Sequence, residues 1–174
     1  TRPARGLDRG GQGLYRAAGG RPVPGQLRRR CVGDGRQVPC DPRVEVLSLQ
    51  GEHLRTIGTR GSAPGQFNFP SNVAIDRQGN LHVVDMLNFR VQVFDPEGSF
   101  LSTFGTIGAG QPGTFDKAKG IAFDAFGNLH VTDSQQGYVQ IFSPRHQPLM
   151  AYGGRAELPG YMAVPTAIAI DSKN

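Results

Sequence analysis

The stretch GQFNFPSNVAIDRQGNLHVVDMLNFRVQVFDPEGSFLSTFG, from Gly65 to Gly105, recurs almost in full as GTFDKAKGIAFDAFGNLHVTDSQQGYVQIFSPRHQPLMAYG, from Gly113 to Gly153. It begins a third time as GYMAVPTAIAIDSKN, from Gly160 to Asn174. Phe67 recurs as Phe115 and Met162, and Asp76 as Asp124 and Asp171. The opening glycines stand 48 and then 47 residues apart. A fixed period of this size means stacked supersecondary units.

Each copy reads as four short strands. Asn72 to Asp76 is an apolar run that ends in Asp-Arg-Gln-Gly-Asn, a turn in which Asp76 can accept from nearby backbone N–H groups while Gly79 and Asn80 tolerate positive φ. Leu81 to Asp85 is a second strand, and Arg90 to Phe94 alternates cleanly as a third. Asp95-Pro96-Glu97-Gly98 is another turn, followed by Phe100 to Phe104 as a fourth strand. Four antiparallel strands per unit make one propeller blade. A helical repeat would need apolar stripes of period 3.6 and few glycines, and neither is present. Upstream, RVEVLSLQGEHLRTIG (Arg43 to Gly58) aligns with the last two strands of the first copy, and TAIAID in the third copy aligns with a first strand. The expected fold is therefore an all-β propeller of four-stranded antiparallel blades, at 43–58 (partial), 65–105, 113–153 and 160–174 (partial). About two and a half to three blades are present.

The pattern resembles the NHL repeat. The residues that carry the resemblance are the Gly-x-Phe-x-x-Pro opening (Gly65, Phe67, Pro70), Val73 to Asn80, Val83 to Asp95, and the closing Phe104-Gly105. It covers residues 43–174 and implies a six-bladed propeller whose first strands line a central channel. The second copy departs from the first where Pro70 becomes Ala118 and where Asn88-Phe89-Arg90 becomes Gln136-Gly137-Tyr138. Six blades at this period would need about 280 residues. The expectation is thus a fragment of a longer protein, and an isolated partial ring would expose open blade edges.

The formal charge of +5 is unevenly placed. Residues 1–43 hold ten Arg and three Asp, whereas the rest holds nine Lys plus Arg against eleven Asp plus Glu. Residues 1–42 read as an Arg/Gly/Pro-rich irregular segment, either disordered or translated out of frame. Within it, GLDRGGQGLYRA (Gly6 to Ala17) faintly echoes the turn and second strand of a blade. Cys31 and Cys40 lie there too; their C-x8-C spacing is a weak metal signal and leaves a disulfide open. Nucleic-acid binding is expected only if this basic arm is genuine. No apolar run approaches the ~18 residues of a membrane span. Composition and resemblance together point to a bacterial extracytoplasmic protein, periplasmic or secreted.

Titratable residues recur once per blade, as structural residues do. His82 and His130 sit mid-strand in LHV and are expected to pack against a neighbouring blade; His53 and His146 are expected in solvated turns. Asp76, Asp124, Asp85 and Asp133 are expected to cap turns. No residue is assigned a catalytic role, and no metal or cofactor is expected. The candidate binding residues lie on loops expected to share one face: Gly58 to Asn72, Ile107 to Lys119, Met86 to Phe89 and Ser134 to Tyr138. They are Arg60, Asn72, Met86, Leu87, Asn88, Phe89, Lys117, Lys119, Gln135, Gln136 and Tyr138. Apolar and aromatic residues on a rigid scaffold loop suit partner binding. The leading expectation is a non-enzymatic scaffold for a protein or peptide. The resemblance implies two alternatives, an RNA-binding propeller and a metal-dependent peptidyl-α-hydroxyglycine lyase. The first lacks an extended basic face, and the second lacks histidine on the channel strands NVAID, GIAFD and TAIAID.

Overall fold

The computed structural model describes residues 15–16, 41–48, 50–154 and 159–171. Cys31, Cys40 and most of the segment 1–42 lie outside them. Strand β1 (Tyr15–Arg16) pairs antiparallel with β2 (Val44–Leu47), which pairs with β3 (His53–Ile57). Strands β4 (Thr59–Arg60) and β5 (Gln66–Phe67) form a two-residue parallel ladder. A four-stranded antiparallel meander follows: β6 (Pro70–Ile75), β7 (Leu81–Asp85), β8 (Arg90–Phe94) and β9 (Phe100–Phe104). The scheme then repeats, with β10 (Thr106–Ile107) parallel to β11 (Thr114–Phe115). A second meander consists of β12 (Ala118–Phe123), β13 (Leu129–Asp133), β14 (Tyr138–Phe142) and β15 (Pro148–Gly153). Among the described residues no helix is long and apolar enough to cross a membrane.

Register repeats with sequence. His82 faces Val93, His130 faces Ile141, and Tyr15 faces Val46, each on the same rung of its sheet. Tyr15, in the stretch GLDRGGQGLYRA, thus pairs on the rung that His82 and His130 occupy in the full blades. The first hairpin of each full blade closes as the sequence demands. Asp76 Oδ1 accepts from the N–H groups of Gln78 (2.9 Å) and Asn80 (2.8 Å), and Gly79 takes φ +91°. Asp124 repeats this on Phe126 and Asn128.

The core lies between sheets. Side chains on β7 alternate, so Val83 and Val84 point to opposite faces. Val83, Leu81, Val73 and Phe94 pack with Val44 and Ile57 of the preceding sheet and with Phe67. Val84 and Val91 pack the other way, against Phe115, Ile121, Leu129, Val131 and Phe142. Each buried phenylalanine contributes roughly 1.5–3 kcal/mol of burial energy, so the inter-sheet seams carry most of the apolar stabilisation.

A glycine closes each repeat because the next repeat's opening side chain lies on it. A Cβ at Gly58 would overlap the Phe67 ring, one at Gly105 would come within 2.5 Å of the Phe115 ring, and one at Gly153 would overlap Met162. The third copy therefore docks like the others. Its first strand, expected at TAIAID, is not formed: residues 161–171 make no ladder, although Ala167 lies against Gly120. A blade's first strand is built by pairing with its second, and among the described residues no such ladder forms here.

Replacing Gly105 by alanine should cost about 1–2 kcal/mol for the positive φ, and more because Phe115 must move. Gly110 (φ +72°) has nothing within 4 Å of its would-be Cβ, so Gly110→Ala carries the φ cost alone. Urea unfolding of the two variants should show the larger loss at Gly105. Equal losses would mean that the ring contact is not the constraint.

Candidate functional site

The inter-blade linkers and the loops between second and third strands are stitched into one face. The Met86 N–H donates to Phe69 O (2.9 Å), Asn88 Nδ2 to Gly61 O (2.9 Å), and the Ser134 N–H to Lys117 O (3.0 Å). Lys117 Nζ donates to Gln135 Oε1 at 3.2 Å.

Beneath this face sits one buried carboxylate per blade. Asp85 is 0% exposed. Its Oδ1 accepts from the N–H groups of Asn68 (2.9 Å) and Phe69 (3.2 Å) in the linker. Its Oδ2 accepts from Asn88 Nδ2 (2.7 Å), Arg90 Nε (3.1 Å) and Gln92 Nε2 (3.3 Å). Arg90 Nη2 continues to Ala63 O and Gln66 O. Asp133, equally buried, is held by main chain alone: the N–H groups of Asp116, Lys117, Gln135 and Gln136. The position of Arg90 is taken by Tyr138, whose phenol is pushed up by burial and then by the Asp133 charge, with the Gly110 N–H opposing. These two aspartates were expected only to cap turns. They do more, tying linker, loop and third strand together.

Gln92 and Gln140 complete the network, and the sequence reading passed over them. Gln92 Oε1 accepts from the Gly65 N–H (2.9 Å) while its Nε2 donates to Gln66 O (2.7 Å); Gln140 does the same to Gly113 and Thr114. The available signal was a glutamine between two aliphatic residues at the same point of the third strand in both copies, RVQVF and YVQIF.

The candidate residues separate by exposure. Met86 is 8% exposed and anchors a 3-10 turn, Met86–Asn88. Phe89 caps that turn at φ +56° and packs on the core around Val84 and Phe115. Asn88 is spent on Asp85 and Gly61. Leu87 alone of the four projects outward, at 43% exposed. Arg60 and Lys117 are exposed, while Asn72, Lys119, Gln135, Gln136 and Tyr138 are half-buried. Asn72 Oδ1 accepts from the Val73 N–H. The first strands of the two blades, β6 and β12, carry no histidine, and among the described residues no group of three or more His, Cys, Asp or Glu could hold a metal ion.

No family model matches the chain. Curated relatives match over short stretches. Protein brain tumor of Drosophila melanogaster is 36% identical over 67 residues, 38% of this chain and 6% of that protein. E3 ubiquitin-protein ligase TRIM32 of Homo sapiens is 42% identical over 45 residues, 26% and 7% of the two chains. B-box type zinc finger protein ncl-1 of Caenorhabditis elegans is 51% identical over 43 residues, 25% and 5%. The matches thus span under a tenth of these relatives' own length. Among solved structures, a catalytically inactive virginiamycin B lyase from Staphylococcus aureus, solved with quinupristin, gives a TM-score of 0.54 at 13% identity. It covers 97% of this chain and 49% of that one. A streptogramin B lyase gives 0.51 at 13% identity, covering 76% and 39%. The fold is a partial β-propeller. At such identities the likeness shows the fold alone.

A double-mutant cycle of Asp85→Ala with Arg90→Ala should give a coupling energy within the range of about 0.5–3 kcal/mol seen for contacting residues. The cycle of Asp133→Ala with Tyr138→Ala should give a smaller one, because Tyr138 does not donate to Asp133. Unfolding free energies in urea supply both cycles. Equal couplings would remove the distinction drawn between the two carboxylates.

Proposed function

We propose that residues 43–174 form a non-enzymatic NHL-type propeller portion that presents its linker-and-loop face to a protein or peptide. The observation that carries this reading is Leu87. Its neighbours Met86, Asn88 and Phe89 are buried or bonded to the scaffold, so an apolar side chain is held outward without freedom to collapse. A preorganised apolar group loses little entropy on binding. The loops expected to share its face also carry the polar groups of Arg60, Lys117, Gln135 and Gln136, a composition suited to an apolar anchor with a polar rim. The local likeness to protein brain tumor, TRIM32 and ncl-1 supports the NHL-type assignment, since the matched stretches of 43–67 residues are about the length of one repeat.

The test is selection of peptides from a displayed random library against the full chain. Enriched peptides should lose at least tenfold in affinity on Leu87→Asp and little on Phe126→Ala, at an exposed residue of the opposite hairpin end. Circular dichroism should show both variants folded. The reading fails if no peptide is enriched, or if selected peptides ignore Leu87→Asp. It also fails if single-stranded poly(U) binds this face with a salt-dependent affinity that Lys117→Glu abolishes.

A further inference from the structure

Away from the loop face, the seam between the two four-stranded sheets holds a pair of histidines that the binding reading does not use. His82, on β7, is 2% exposed. Its Nε2 lies 3.3 Å from Asp76 Oδ2, and its Nδ1 is buried without a partner. The ring meets Phe123 edge-on (centroids 4.9 Å) and His146 at 5.2 Å, both from the next sheet. His146 stacks in turn on Phe104 at 4.5 Å, and Phe104 packs on Phe142 at 5.1 Å. Four rings, His82, His146, Phe104 and Phe142, thus run alternately from one sheet to the other. The two histidines edge a cleft of about 100 Å³ bounded by Ile75, Asp76 and Arg77 on one side and by Asp124, Ser143 and Pro144 on the other.

His146 departs from the repeat. The same turn position is Gly51 and Gly98 in the earlier copies, at φ +86° and +94°. His146 holds φ +59°, a region costly for a residue with a Cβ. A side chain that stands there despite that cost is held by its ring contacts, and the expected solvated turn is instead half-buried.

We propose that this seam is an acid-opened joint: proton uptake by the His82–His146 pair unseats the 143–147 turn from β7 and loosens one blade from the next. The reason is geometric. In the neutral ring Nε2–H donates to Asp76 and Nδ1 stays bare. Protonation creates an N–H at a buried atom that faces no acceptor, which costs the full desolvation of that group. A second positive ring 5.2 Å away adds repulsion. The other charged groups at the seam do not relieve this. Asp76 already accepts from Gln78, Asn80 and His82; Asp124 is taken by Phe126, Asn128 and His130; the Arg77 guanidinium reaches Ala125 O across the seam; Arg145 adjoins His146 in the turn and only adds positive charge. Along β6 and β8, the strands flanking β7, the one ionisable side chain is Arg90, committed to Asp85.

The direction of the effect follows. Burial, then the neighbouring His146, pull His82 down to about 4, against the opposing pull of the Asp76 hydrogen bond and charge; burial also lowers His146. The opened state takes up its proton at the ordinary value near 6.5. The closed seam is therefore fully stable above about pH 6.5 and loses stability progressively as pH falls toward 4. Asp76 and Asp124 are both lowered from the ordinary carboxylate value, so they stay charged across this window.

Amide exchange of the full chain, corrected for intrinsic pH dependence, reads the opening. From pH 7 to pH 5, one proton shifted this far should raise the opening constant of the 143–147 turn roughly 20-fold. His130→Gln should leave that response intact, since among the described residues no histidine turn lies against His130. His82→Gln should abolish it. Should His82→Gln fail to fold, His146→Gly, which restores the repeat's own residue, removes the pair without straining the turn and should bring the change below 3-fold. A wild-type response no larger than that of His146→Gly, or one abolished by His130→Gln, overturns the proposal. So does an imidazole Cε1 titration in which His82 is protonated at pH 6.

Discussion

A carboxylate that no water reaches stands at the end of each blade's second strand, and the arrangement of linker, loop and third strand answers to it. Burying an unpaired charge is prohibitive, so every donor near Asp85 and Asp133 must stay in place. Those donors come from segments far apart in the chain: Asn68 and Phe69 in the linker, Asn88 in the turn, Arg90 and Gln92 in the third strand. None of these segments can drift without stranding the charge. The exposed face is rigid for this reason, although its segments are irregular. The two blades solve the problem with different donors. One adds three side-chain donors, a cation among them, to two main-chain N–H groups; the other uses four main-chain N–H groups. Because main chain suffices in the second, the residue that replaces Arg90 is free to be Tyr138, and the chemistry of the face can change over an unaltered scaffold.

Most of the sheet architecture was legible because strands announce themselves by alternation and turns by Asp, Gly and Asn. LHVVD, RVQVF and FLSTF occupy the residues at which the pattern placed strands. The two parallel ladders in the linkers were not legible, since two residues carry no period. The candidate face was legible as a set of loops but not side chain by side chain. Met86, Leu87 and Phe89 look alike as apolar residues on a polar turn. Only the 3-10 geometry, with Phe89 left-handed at its end, sends Met86 and Phe89 inward and leaves Leu87 out. His146 was misread as solvated because turn composition says nothing of the ring beyond the turn. Its departure from glycine at two equivalent positions was the signal available.

The seams also explain why a repeat of this kind is read best as a series. Each sheet offers one face backward and one forward, and its stability is shared with both neighbours. Phe104 shows the rule: it belongs to β9 but is packed by Phe142 and His146 of the next sheet. Tyr152 holds the same place on β15 and is exposed, as is Met150 beside it. The described residues 161–171 reach only part of that face, with Met162 over Gly153 and Ala167 against Gly120. Among the described residues, the forward face of β12–β15 thus carries the side chains of a blade contact with only these neighbours. Its exposed apolar residues stand at seam positions such as that of Phe104, whereas Leu87 is held outward by a completed scaffold. That difference is why the loop face, rather than the larger apolar sheet, supports the binding reading.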